Sequence, residues 1–242
     1  MTAPYRIIEP ATRLPASLSH ARWLPATRQR KRVFDVVVSL AMLPVLLPLI
    51  ALISLAQLVL EGRPVFYRAE RMKDRRHGFT MLKFRTMTHI EDDAGVSGGH
   101  KADRVTRFGR FLRRTRFDEF PQIFNVLAGD MSLVGPRPQS REFVERFHDL
   151  YDDILRVPPG ITGLDSVTIY RYEGRLLSRT ADPVETDAVY TRRCLPRRHR
   201  LNMIYLARRS SALDLWIMWR TVLIVLREIR DRKRASEADR LG

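Results

Sequence analysis

The chain has 242 residues, with 43 Lys and Arg against 27 Asp and Glu for a formal charge of +16, a length that suits one domain or one domain plus a membrane element. So strong a positive charge implies an anionic partner, whether nucleic acid, an acidic membrane surface or a phosphorylated substrate. The single cysteine, Cys194, excludes an internal disulfide framework and a zinc cluster, and there is no HExxH, Walker A or GxGxxG segment and no internal repeat.

The first element is apolar. Lys31-Arg32-Val33-Phe34-Asp35 opens it, and Val36 to Leu60 carries no charge. About 20 such residues suffice to span a bilayer as a helix. The run starts too late for a signal peptide. Its flanks are basic on both sides: Arg28, Arg30, Lys31 and Arg32 before it, Arg63, Arg68, Arg71, Lys73, Arg75 and Arg76 after it. Positive charge marks the cytoplasmic side. Pro44 and Pro48 sit near the middle, where each removes a helical hydrogen bond. A re-entrant helix that breaks at these prolines and returns to the same face satisfies both facts. A simple span and a buried core helix are the other readings of the same run.

The body after Gly62 is charged. Phe79 to Met87 reads as a short strand whose Lys83 and Arg85 are either solvated or phosphate ligands. Glu91 to His100 is acidic, then glycine-rich, and reads as a loop; Asp92 and Asp93 are solvated acids or metal ligands. Arg104 to Thr115 spaces Val105, Phe108, Phe111 and Leu112 as a helix among arginines, suiting either an anionic membrane surface or packing on its own domain.

A second helix should start near Asp118, with Phe120, Ile123, Phe124 and Leu127 as its buried stripe and Pro121 in its first turn. Asp118 then falls at or near the N-cap. It is either a capping residue or a carboxylate held where a helix end attracts phosphate. The adjacent pair Asp118-Glu119 lies in a field of arginines: Arg104, Arg107, Arg110, Arg113, Arg114 and Arg116 before it, Arg137 after it. Guanidiniums hold phosphate oxygens bidentately, and a carboxylate can bind a hard metal ion or act as a nucleophile. Pro136 and Pro138 stiffen the backbone around Arg137, which is either a solvated arginine on a rigid loop or, as the stiffness favours, an aimed anion ligand. Pro158 to Gly163 is another rigid turn. Ala212 to Leu226, with Trp216 and Trp219, reads as an apolar helix interrupted by Asp214 and Arg220, packed or at a membrane interface. The tail from Arg227 to Arg240 reads as frayed or solvated.

Several blocks in order resemble the bacterial sugar transferases, the monotopic polyprenyl-phosphate phosphoglycosyl transferases. They are KRVFD at Lys31 to Asp35, KFRTM at Lys83 to Met87, RFGRFLRRTRFDEFPQIFNVLAGDMSLVGPRP at Arg107 to Pro138, PGITG at Pro159 to Gly163, and YTRRCLPRR…YLARRSSALDLWIMWRT towards the C-terminus. The resemblance covers Lys31 to Arg227. It implies an α+β, mostly helical fold: an N-terminal extension (1–30), a re-entrant membrane helix (31–61) broken at Pro44 and Pro48, a small cytoplasmic catalytic domain (62–227) with amphipathic membrane-surface helices, and a charged tail (228–242). It looks like the minimal catalytic form, without the additional transmembrane helices of larger members.

The resemblance further implies Asp118 as nucleophile and magnesium ligand, Glu119 as its assistant, and Arg113, Arg137, Lys83 and Arg85 as phosphate ligands, with Mg2+ as cofactor. The implied partners are a UDP-sugar, undecaprenyl phosphate and membrane lipids, with no nucleic acid, and the apolar terminal helix would permit a homodimer. The implied place is the cytoplasmic face of the bacterial inner membrane. Two departures stand out. Leu47-Pro48 replaces the family's Ser-Pro pair, and after PGITG the chain reads LDSVTIYRYEGRLLS where many members have a WAQVNGR-like sequence. The rivals are a glycosyltransferase that releases UDP, a non-catalytic basic protein that binds membranes or nucleic acid, and an inactive scaffold.

Overall fold

The computed structural model describes residues 25–88 and 104–241, with side chains placed over 28–88 and 104–231. The expected loop Glu91 to His100 and most of the extension 1–30 lie outside the described residues.

Helix α1 spans Pro25–Glu61 and is continuous through Pro44 and Pro48. The expected break is therefore not an interruption of the helix. Asp35, Ser39, Leu46, Ile50, Ile53 and Gln57 form a buried stripe along it at helical spacing, while Val37, Leu40, Val45, Leu52, Leu55 and Val59 stay exposed. Among the described residues it is the one helix long and apolar enough to cross a membrane. Both of its ends dock on the same body. Near its start, Arg32 donates to the Val126 and Leu127 carbonyls, and Asp35 accepts from the Leu133 amide at 3.3 Å. Near its end, Gln57 donates to the Arg85 carbonyl at 2.6 Å.

Strands β1 (Phe66–Met72) and β2 (Gly78–Phe84) form an antiparallel hairpin. Asp74 closes its turn by accepting from the Arg76 and His77 amides, each at 2.8 Å. Tyr67 pairs with Lys83, Ala69 with Met81 and Arg71 with Phe79, so these six share one face. The strand expected over Phe79 to Met87 ends at Phe84. Beyond it the chain leaves the hairpin to pair with the segment before the next helix, through Thr106 to Thr86 and Thr88 to Arg104 and the bridge between Met87 and Val105.

Helix α2 (Arg107–Thr115) is capped by Thr106, whose hydroxyl accepts from the Gly109 amide at 2.9 Å. It ends at Arg116, which is left-handed at φ 60°. A 3₁₀ turn (Phe117–Glu119) leads to α3 (Gln122–Ala128), whose N-cap is Pro121. Asp118 is thus not the N-cap, because a separate short turn intervenes. The expected stripe also shifts. Gln122, Ile123, Asn125 and Val126 are the buried residues of α3, whereas Phe124 is exposed. The polar Asn125 belongs inside because its amide fits the β2 backbone: it donates to the Thr80 carbonyl at 2.8 Å and accepts from the Leu82 amide at 3.0 Å.

Strand β3 (Ser132–Val134) pairs in parallel with β4 (Gly160–Thr162). The glycines of both rigid turns meet here. A side chain on Gly160 would lie 2.0 Å from the Gly135 amide nitrogen, so the two segments approach as closely as only glycine allows. Between the strands, α4 (Arg141–Arg146) and α5 (His148–Ile154) build a second small core.

After β4 come α6 (Leu164–Leu177), α7 (Pro183–Val189), a π-helical turn (Tyr190–Cys194), α8 (Leu195–Arg208) and α9 (Ser211–Leu241). Cys194 is a buried free thiol. The charged tail is not a frayed segment, since α9 runs on through it as one helix. Asp214 does not interrupt that helix either. It is buried against Lys31 at 2.9 Å and accepts from the Tyr205 hydroxyl at 2.8 Å, while Lys31 also holds Asp35 at 2.8 Å. This buried cluster ties the start of α1 to α8 and α9.

Candidate active site

Asp118 is presented on the 3₁₀ turn between α2 and α3. It is 8% exposed, and its Oδ1 atom is buried with no hydrogen-bond partner. Burial, and then the neighbouring Glu119 carboxylate, push its carboxyl up from the ordinary 3.8 to about 6; Lys83, Arg116 and Arg113 pull the other way. Glu119 is instead paired, at 3.1 Å from Arg116 Nη1 and 3.5 Å from Arg137 Nη2.

The expected cations divide. Lys83 lies on β2 with its ammonium 5.2 Å from the centre of the Tyr67 ring, and burial pulls its pKa down. Arg113 donates from Nε to the Thr86 hydroxyl at 2.7 Å, which orients it beside Asp118. Pro136 and Pro138 are buried, with the exposed Arg137 held between them. Arg85, expected as a phosphate ligand, is used elsewhere. Its guanidinium donates to the Glu61 and Gly62 carbonyls at 2.8 and 3.0 Å, satisfying the C-terminal end of α1.

A cavity of about 510 Å³ opens beside these groups, with Lys83, Glu119 and Arg137 on its wall. It also takes in residues that sequence reasoning missed: Arg71 of β1, Arg146 of α4, and Glu173, Tyr190 and Arg198 from the helices after β4. The missing signal for Arg71 was the unpredicted strand β1, whose register puts it on the face of Lys83.

Among the described residues no group of three or more His, Cys, Asp or Glu could cage a metal ion. A magnesium ion does not need such a cage, because it typically takes one or two carboxylates plus substrate phosphates and waters. The unpartnered Asp118 Oδ1 fits that role.

Residues 26–228 match a known family model, described as bacterial sugar transferase. The chain belongs to the bacterial sugar transferase family. It is 38% identical over 166 residues to a UDP-glucose:undecaprenyl-phosphate glucose-1-phosphate transferase of Klebsiella pneumoniae, covering 67% of this chain and 36% of that protein. A protein of Caulobacter vibrioides with the same name is 34% identical over 210 residues, covering 83% of this chain and 68% of its own. A putative undecaprenyl-phosphate N-acetylgalactosaminyl 1-phosphate transferase of Bacillus subtilis is 42% identical over 120 residues, covering 49% and 67%. The chain therefore spans about a third of the Klebsiella relative and about two thirds of the other two. The stretch matched by the sugar transferase model includes every site residue named above, together with nearly all of α1.

Proposed function

We propose that this sugar transferase moves a sugar 1-phosphate from a UDP-sugar to undecaprenyl phosphate, through a phosphosugar bound covalently to Asp118, in the first step of building a surface glycan. The observation that carries the reading is the buried, unpartnered oxygen of Asp118 beside Lys83 and Arg113. A carboxylate nucleophile against a diphosphate needs the opposing negative charge neutralised, and these cations supply that. A carboxyl titrating at about 6 is mostly ionised at neutral pH and more basic than an ordinary aspartate. The names of the relatives add the substrate class: a UDP-sugar for the Klebsiella and Caulobacter proteins and an undecaprenyl phosphate acceptor for all three.

In the first step an Asp118 oxygen bonds to the phosphorus next to the sugar. The bond from that phosphorus to the bridging oxygen breaks, and UMP leaves with the oxygen and the electron pair. In the second step an oxygen of the acceptor phosphate attacks the same phosphorus and frees the Asp118 carboxylate, giving undecaprenyl diphosphate sugar. Glu119, held by Arg116 and Arg137, takes the acceptor's proton when that phosphate carries one. Magnesium, with Asp118 as its protein ligand, would neutralise charge on the diphosphate.

The chain is further proposed to sit on the cytoplasmic face of the bacterial inner membrane, with α1 dipping in and returning. Arg32 and Gln57 are 25 positions apart, a rise of about 37 Å along a straight helix. Arg32 nonetheless binds α3 and Gln57 binds Arg85, the residue just after β2, while β2 and α3 are joined through Asn125. A bend at Pro44 and Pro48, with no loss of the helix, accounts for that. The exposed Trp216 and Trp219 of α9 would lie at the same interface.

The test is nucleotide release from a panel of UDP-sugars by the protein in nanodiscs, with magnesium and undecaprenyl phosphate. UMP that depends on the lipid and disappears in Asp118→Asn supports the reading, as does a phosphosugar mass adduct on the chain when the lipid is withheld. Release of UDP would overturn it in favour of simple glycosyl transfer.

A further inference from the structure

The cavity lined by Glu119 has two electrically different ends. Arg71, Lys83 and Arg137 all line it and lie close enough to act on one another; they mark the near end. Among the described residues no carboxylate forms an ion pair with Arg71 or Lys83, and Arg137 has only the 3.5 Å contact with Glu119. The three repel one another: Arg137 acts on Arg71, and both act on Lys83. Asp118 acts on Lys83 in the opposite sense and Glu119 on Arg137, so three cations face two carboxylates and the excess positive charge favours an incoming anion.

The far end is the reverse. Its charges are closed in pairs. Arg146 forks onto Asp187 at 3.1 and 2.7 Å. Arg198 forks onto Glu173 at 3.0 and 2.7 Å and reaches Asp165 at 2.5 Å. The Tyr190 phenol lines the cavity near Arg198 and Glu173 and is neutral, with burial pushing its pKa up to about 12, and Phe143 meets its ring edge-on at 6.0 Å. A phosphate here would face carboxylates whose arginines are already engaged. A neutral group rich in hydroxyls would find carboxylate lone pairs to accept its protons and a ring to pack on.

We propose that this cavity is a two-part donor site, in which Arg71 joins Lys83 and Arg137 in binding a diphosphate and the charge-paired end holds the neutral hydroxylated group attached to that diphosphate. The inference rests on the proposed function for the identity of the donor. The neutral group is either the sugar or the nucleoside, and the two are separated by the probes.

The experiment is calorimetric titration of the full chain carrying Asp118→Asn, so that nothing turns over, with inorganic pyrophosphate, UDP and UDP-glucose. Arg71→Gln should weaken all three about tenfold, the loss of one charge-assisted contact. Arg68→Gln, an exposed arginine on the opposite face of β1, should change none. Leu177 lines the cavity one helical turn after Glu173, so Leu177→Trp, which narrows the far end, should spare pyrophosphate. If the sugar lies there, only UDP-glucose weakens; if the nucleoside does, UDP weakens with it. Tyr190→Phe is the milder second variant and should weaken the same probes about threefold. Pyrophosphate binding that is unchanged in Arg71→Gln would overturn the assignment of Arg71. Unchanged binding in both Leu177→Trp and Tyr190→Phe would overturn the far end, and a parent chain that binds none of the probes would overturn the whole proposal. Binding that follows these rules without any UMP release by the chain with Asp118 intact would sink the proposed reaction and leave the donor site standing.

Discussion

Asp118 and Glu119 are adjacent in the chain and opposite in circumstance: Glu119 is held between Arg116 and Arg137, while Asp118 Oδ1 is buried with nothing to accept from. One carboxylate of the pair is thus held by cations and the other is buried without a partner on Oδ1, at a cost in stability.

That cost sets a first prediction, for metal-free buffer. A carboxyl moved from 3.8 to about 6 binds its proton more tightly folded than unfolded. Stability from this group is present in full below about pH 4 and is lost as pH rises through about 6. The charged form is penalised by roughly 3 kcal/mol, as an order of magnitude. Asp118→Asn should therefore melt several degrees higher than the parent at pH 7.5 and no higher at pH 4. A thermal shift of equal size at both pH values would refute the burial argument.

Lys31 neutralises two buried carboxylates, Asp35 and Asp214. In Lys31→Met both remain, and burial already raises the Asp214 carboxyl. Breaking such a buried pair costs about 3–5 kcal/mol. The variant should lose much of its thermal stability, and a second change, Asp214→Asn, should restore part of it. Additive losses in the double variant would show that the three residues do not act as a cluster.

Gly160 lies against the Gly135 backbone where a Cβ would meet nitrogen at 2.0 Å. Neither partner is a flexible side-chain end, so neither can yield cheaply. Gly160→Ala should separate β3 from β4, displace Arg137 and abolish donor binding along with most of the folded yield. Recovery of folded protein with normal UDP binding would mean that the strands can part without moving Arg137.

Arg85→Ala should behave differently from loss of Lys83, although the two are neighbours but one. It removes two hydrogen bonds to the end of α1, at about 1–3 kcal/mol. Pyrophosphate affinity should stay within about twofold of the parent, whereas Lys83→Ala should lower it about tenfold. Titration of both variants in parallel decides the matter.

Much of the site was legible because its chemistry is concentrated in one stretch. Asp118, Glu119, Arg113 and Arg137 fall within 25 residues. The helix α1 was legible from its uncharged length. Its prolines were harder, since a missing hydrogen bond predicts a weak point and not the size of the bend. The stripe on α3 was misplaced because apolar spacing alone ranked Phe124 above Asn125. The decisive fact was that the open backbone of β2 gives an asparagine amide two partners.

By itself the sequence determined the apolar helix with basic flanks, the acidic pair among arginines and the stiff turn that carries Arg137, all of which follow from local composition and backbone restriction. Only the tertiary structure decided which cations face the cavity. Lys83 and Arg85 have the same charge and the same strand spacing, yet the hairpin ends between them, and Arg85 falls onto the carbonyls of α1. Arg71 is 47 positions before Asp118 and joins the cavity only through the register of β1 on β2. Charge pairing is a matter of distance and burial in three dimensions, and a one-dimensional pattern does not contain it.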